Sequence, residues 1–208
     1  MAWTKPLFTR VEVDKAGAAL QRWNETEPDV TSDDTWNIWV DEYGKSRAAL
    51  EIINNWRSSH SYPLNTFQTN LRRAARAVDP NPLVAQRIKR LSSVSHKLER
   101  FKKMRLSQMQ DIGGCRAVVR SVAAVREIEK YYLTRSRIKH KLKTHDDYIM
   151  RPQKSGYRGI HLIYRYYSDN SATEVYNDLQ NRNAITIPIS TRMGHHGRNS
   201  WYVRKASA

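Results

Sequence analysis

The residue pattern predicts an α/β (α+β) fold, a mixed β-sheet flanked by helices. Three observations carry that expectation. Residues 83–88 and 114–119 are short apolar runs of strand length, with a basic turn and a helical pattern between them. Residues 64–78 and 121–133 repeat apolar side chains at helical spacing. Residues 135–148 and 157–164 alternate as strands do.

The chain is 208 residues long, enough for one domain or one domain with a small appendage. With 39% hydrophobic residues, six Trp and eleven Tyr it can build a core, which excludes global disorder. Lys and Arg number 36 against 20 acids, a net charge of +16, which favours a polyanionic partner such as nucleotide, RNA or DNA. The imbalance is uneven: residues 1–42 hold 4 bases and 9 acids, so the remainder carries +21. One cysteine excludes an intramolecular disulfide framework and fits a reducing cytosol. The sequence has no signal peptide and no apolar run that spans a bilayer, so the expectation is a cytoplasmic protein without membrane contact.

The acidic segment 1–42 carries Trp3, Trp23, Trp36 and Trp39 and reads as a lid packed on the main domain; a partner-binding segment is the alternative. Trp36 and Trp39, three apart, suit one helix face. From residue 43 the pattern is helical, with Ala48, Ile52, Ile53 and Trp56 on one face, ending at Arg57-Ser58-Ser59-His60 with a break at Pro63. A second amphipathic helix comes next, carrying Leu64, Phe67, Leu71, Ala74, Ala75 and Val78 inward and Arg72, Arg73 and Arg76 near its end, where cations suit the helix dipole. Asp79-Pro80-Asn81-Pro82 is a turn.

Residues 83–88 read as a short strand and 93–101 as a helix capped by Ser92 or Ser93. Between positions 87 and 105 stand Arg87, Lys89, Arg90, Lys97, Arg100, Lys102, Lys103 and Arg105, and Asp111 comes just before Gly113-Gly114. A cationic cradle ahead of a lone acid at the start of a strand is what a polyphosphate and its Mg²⁺ require. A solvated basic helix would give the same composition. Residues 114–119 are a buried strand with Cys115 in the core, and 121–133 an amphipathic helix with Val122, Val125, Ile128, Tyr131 and Tyr132 inward. After the basic strand 135–148 comes a loop with Lys154-Ser155-Gly156-Tyr157 and a strand. On that strand Tyr157, Gly159, His161 and Ile163 share one face and Arg158, Ile160, Leu162 and Tyr164 the other. An aromatic beside glycines and bases makes a stacking platform with phosphate contacts to hand; an ordinary hairpin tyrosine is the alternative.

Taken together, RIKRLSSVSHKLER, QDIGGCRAVV and KSGYRGIHL resemble the synthetase domain of the RelA/SpoT alarmone family, over roughly residues 43–180. WRSSHSYPLN at 56–65 and the IGGC turn look most like its small single-domain synthetases of toxin or anti-phage type. The resemblance implies a nucleotidyltransferase-like synthetase fold and transfer of pyrophosphate from ATP to a 3′-hydroxyl. The acceptor it implies is GDP or GTP, giving guanosine tetraphosphate-type alarmones, or in some toxin members the 3′ end of tRNA. It implies that Arg87, Lys89, Ser93, Lys97 and Arg100 hold ATP and that Asp111 is catalytic and binds Mg²⁺. Tyr157 would stack on the acceptor base while Lys154 and His161 position the acceptor, and Arg116 lies in the Asp111 motif. Toxin-type members add an antitoxin or a phage trigger protein to the candidate partners. A non-catalytic nucleotide- or RNA-binding remnant is the competing class of function.

The chain departs from the family near its end. The motif close to EIQIRT…QHAWA…E, whose first Glu is the second metal ligand, is missing, and Arg182 falls where that Glu is expected. A cation there would repel the metal. If one nucleotide is skipped after Gln180, synonymous codons can be chosen so that the frame spells IEMQLRSRFQHAWATTVETVGTFVK. Met193-Gly194, necessarily ATG-GGN, then forces Trp. The reading is a chain of three parts: an acidic Trp-rich segment (1–42), a synthetase-like domain (43–180), and a frameshifted, disordered tail (181–208) that leaves the sheet incomplete. A divergent but native strand and tail is the alternative. Either way the second metal-binding Glu is lacking, so impaired catalysis is expected.

Overall fold

The structure, a computed structural model, describes residues 3–25, 33–135, 138, 140–167 and 184–191. Helices α1 (Arg10–Glu25), α2 (Asp33–Ser59) and α3 (Ser61–Val78) precede β1 (Leu83–Ile88) and α4 (Leu91–Arg100). A 3₁₀ turn (Leu106–Gln108) leads into β2 (Gly113–Val119), α5 (Val122–Lys130) and a π turn (Tyr131–Arg135). Strands β3 (Lys141–Asp147), β4 (Ile160–Arg165) and β5 (Ala184–Thr191) complete a five-stranded sheet in the order β1-β2-β5-β4-β3. Only β2 and β5 run parallel; the other neighbours are antiparallel, so the sheet is mixed as the sequence predicts. Among the described residues no helix is long and apolar enough to cross a membrane.

Alternation assigns the two faces of the sheet. Cys115, Ala117 and Val119 of β2, Ile160, Leu162 and Tyr164 of β4, and Ile185, Ile187 and Ile189 of β5 point to one side. There they pack on Leu64, Phe67, Leu71 and Ala75 of α3 and on Val125 and Ile128 of α5. Register then places Arg87, Gly114, Arg116, Thr186, Ser190, His161 and Asp146 on the opposite face. A second core joins α1 (Val13, Ala16, Leu20), α2 (Ala49, Ile53, Trp56) and α4 (Val94, Leu98) to Leu106, Met109 and Ile112. The basic segment thus rides on its own apolar support.

Several expectations change. The last strand is not missing: Ala184–Thr191 is a strand in the interior of the sheet, with Ile185, Ile187 and Ile189 fully buried. Alternation in AITIPIST supplies the apolar face that the family motif would have given. Arg182 and residues 192–208 lie outside the described residues. The boundary at 42 falls inside α2, which runs on to Ser59, and α1 shares a core with α2 and α4. The side chains of Trp23, Trp36 and Trp39 lie outside the described residues. On α2 the inward residue is Ala49 rather than Ala48, and on α5 Val122 stands exposed while Ala124 is buried. Pro63 does not break a helix; it sits in the first turn of α3, where its missing N–H costs nothing. Arg90, not Ser92 or Ser93, caps α4, because the first helical bond runs from Val94 N–H to the Arg90 carbonyl.

Candidate functional site

The site begins where β1 ends and β2 starts. Lys89 leaves β1 with its N–H bonded to the Ile112 carbonyl at 2.7 Å, which draws the two strand ends together. Its ammonium reaches Asp111 Oδ2 at 3.0 Å, while Lys97, one turn beyond Ser93 on α4, reaches Oδ1 at 2.6 Å. Burial alone would raise the Asp111 carboxyl, but the Lys97 and Lys89 ammoniums outweigh it and hold the group below its ordinary value. Arg87 stands half-buried on β1, and burial lowers its guanidinium against the opposing pull of Asp111. Arg57 of α2 donates from Nε to the Lys89 carbonyl at 2.9 Å and so fixes the chain that carries the cradle.

The helix α4 sets the spacing. Val94 and Leu98 are buried, so Ser93 and Lys97 come to the side of Asp111, and Arg100 ends the helix exposed, over the Phe101 ring at 5.4 Å. The structure therefore brings Arg87, Lys89, Lys97 and Asp111 together and leaves Arg100 at the surface.

A second cluster lies further along the same face. The Tyr157 hydroxyl is 3.0 Å from His161 Nε2 and also bonds Arg116 and Ser190; Arg116 Nη2 donates to Ser190 Oγ at 3.2 Å. Burial raises the Tyr157 phenol, opposed by Arg116, and lowers the Arg116 guanidinium and the His161 imidazole, the latter to about 4. Gly159 makes this packing possible, since a Cβ there would sit 2.6 Å from the Tyr157 hydroxyl and 2.8 Å from the Ile189 carbonyl. Gly156 turns the preceding loop at φ +77°, a conformation costly for other residues. Tyr157 is 5% exposed and meets Tyr148 and His161 edge-on, so in this arrangement its face is not open for a base to stack. Lys154 is exposed in the loop.

Three participants go beyond the residues that the sequence singles out. Ser190 and Thr186 come from β5, and Thr186 donates to the Gln110 carbonyl at 3.2 Å, one residue before Asp111. Arg57 belongs to WRSSH, whose arginine can be read as a brace. The Ile185, Ile187, Ile189 alternation is the signal for β5.

Magnesium, which the family resemblance implies, meets a poor donor set. Asp111 is the one carboxylate of the cradle among the described residues, both its oxygens are held by lysines, and β5 adds the Thr186 hydroxyl rather than a second acid. Among the described residues no three His, Cys, Asp or Glu could hold a metal. These residues do not fit a resident Mg²⁺, which wants carboxylate oxygens and keeps its waters.

A family model described as a region found in RelA / SpoT proteins matches residues 86–195, from β1 to just beyond β5. Among solved structures the chain is similar to the small alarmone synthetase 1 from Bacillus subtilis bound to its product pppGpp. That match has TM-score 0.53 and 22% identity over 64% of this chain and 69% of that one. It is also similar to the small alarmone synthetase 2 from Bacillus subtilis, with TM-score 0.54 and 20% identity over 67% of this chain and 72% of that one. At such identities the likeness is one of fold. No curated protein matches the chain.

Proposed function

The chain belongs to the RelA/SpoT family, and on that premise we propose that it is a pyrophosphokinase-type domain, weakened in transfer, that binds ATP in the Lys89–Lys97 cradle. The observation that carries this reading is Asp111 held between Lys89 and Lys97 at the foot of β2, with Arg87 on the same face. Clustered, partly buried ammonium and guanidinium groups suit a phosphate chain, and such chemistry is mostly positioning and charge stabilisation. The acceptor we assign is a guanine nucleotide, with Tyr157 and His161 at its end of the face and Lys154 reaching in from the loop.

In the reaction proposed, the acceptor 3′-hydroxyl oxygen bonds to the β-phosphorus of ATP and the bond from that phosphorus to the α–β bridging oxygen breaks. AMP leaves and the hydroxyl proton passes to water. Asp111 is a weak base for that proton, since two ammoniums hold it ionised. Lys89 and Lys97 offset the charge on the transferring group. With no second carboxylate at the cradle among the described residues, the site loses the positioning of a metal ion, and transfer is slow.

A second reading, with the tRNA 3′ end as acceptor, is favoured by the excess of 36 bases over 20 acids. Labelled ATP offered with GDP, GTP and tRNA in parallel separates the two. Product on tRNA alone would replace the guanine nucleotide reading, and absence of both products together with absence of ATP binding would overturn the proposal.

A further inference from the structure

Beside the foot of β2 lies a cavity of about 320 Å³. It is lined by Arg10 of α1, Trp56 and His60 of α2 and its end, residues 107–110, Lys143 of β3 and Arg165 of β4. The volume is at the lower end of the roughly 300–1,000 Å³ usual for small-molecule sites. Three of its walls carry a cation and, among the described residues, none carries an acid. Lys143 and Arg165 make no ion pair among the described residues, whereas Arg10 is shared with Ser107 at 2.9 Å and Asp14 at 4.0 Å. Trp56 is 4% exposed, and its indole N–H has no acceptor among the described residues. His60, buried and lowered to about 4, is neutral and spends Nδ1 on the Trp56 carbonyl at 2.8 Å, so it adds no charge of its own at neutral pH.

We propose that this cavity is a second anion site that takes the phosphate chain of a nucleoside polyphosphate. None of Arg87, Lys89, Lys97 or Asp111 lines it, so it is separate from the cradle. Three cations match an oxygen-rich, multiply charged group, and walls without a carboxylate spare it the repulsion that would exclude one. The site depends on α1, because Arg10 closes one side. The inference concerns binding alone and stands whether or not the chain transfers pyrophosphate.

The test is equilibrium binding of labelled inorganic pyrophosphate to the full chain at fixed ionic strength, with GTP and guanosine as competitors. The double variant Lys143→Gln, Arg165→Gln should lose about tenfold in affinity for one class of site. Lys97→Ala should leave that class intact, GTP should compete for it, and guanosine should not. Both altered side chains reach solvent, so folding is preserved, and thermal melts check it. A control pair, Arg72→Gln and Arg76→Gln, removes the same charge from the exposed face of α3. Equal loss in the control pair would mean that bulk charge alone attracts pyrophosphate. That result, unchanged binding in the cavity variant, or competition by guanosine as strong as by GTP, each overturns the proposal.

Discussion

The ammonium of Lys97 lies 2.6 Å from Asp111 Oδ1, so the cradle contains its own counter-charge before any nucleotide arrives. The pair is partly exposed, with side-chain exposures of 28% and 35%, and is therefore exchangeable: a phosphate can displace the carboxylate without a large desolvation cost.

Lys97→Ala and Arg87→Ala should accordingly each weaken ATP binding by about 1–3 kcal/mol, the range for a lost charged hydrogen bond. Asp111→Asn should act in the opposite sense, holding or raising ATP affinity, because two ammoniums are released from their partner. Titration calorimetry on the three variants checks this. A fall in affinity for Asp111→Asn equal to that of Lys97→Ala would contradict the cradle.

For Tyr157 the structure changes the expected substitution pattern. Were the ring a simple stacking face, Phe would serve as well as Tyr. With the hydroxyl bonded to His161, Arg116 and Ser190 inside a buried cluster, Tyr157→Phe should destabilise the fold by about 1–3 kcal/mol through polar groups left unpaired. Denaturant melts report it, and a Phe variant as stable as the parent would show that the hydroxyl's bonds do not hold the cluster.

Acid should unfold the protein early. His60 and His161 both have folded pKa values lowered to about 4 by burial, against an ordinary 6.5. A group with a depressed folded pKa contributes stability that is present above 6.5 and is lost as pH falls toward 4. For the fully buried His60 that is up to about 3 kcal/mol, at about 1.36 kcal/mol per pH unit. Melting temperature should therefore drop between pH 6.5 and 4.5, and less steeply in His60→Gln. A flat profile over that window would show that neither ring is held neutral.

The legible part of the sequence is local. β1 lies where its apolar run places it, and Lys97 and Asp111 can be paired because helix spacing and a strand start fix both. The capping of α4 misleads because two serines look like caps, while the backbone bond to Arg90 begins the helix earlier. Burial of Tyr157 is not legible, since it depends on Ser190, 33 positions away and on a strand reached only through sheet pairing. β5 itself is easily discounted because its residues lack the family motif, although their period-two pattern is strong enough to place three isoleucines in the core.

A strand at Ala184–Thr191 narrows the consequence of a frameshift. The chain as written already provides a last strand, so restoring the alternative frame after Gln180 should change catalysis more than it changes the sheet. Sequencing the encoding DNA around Gln180 shows whether the frame exists.

The proposed nucleotide-binding pyrophosphokinase site is short of one acid among the described residues. It is tested most directly by pyrophosphate transfer from labelled ATP, measured side by side for the chain as written, for Thr186→Glu, and for the chain with the alternative frame after Gln180. Thr186 is the β5 side chain that reaches the residue before Asp111, so a carboxylate there should return part of the metal site. ATP binding is expected of all three, with transfer near background for the first, a measurable rise for Thr186→Glu and a larger one for the restored frame. Robust transfer by the unmodified chain, unaffected by either change, would contradict it.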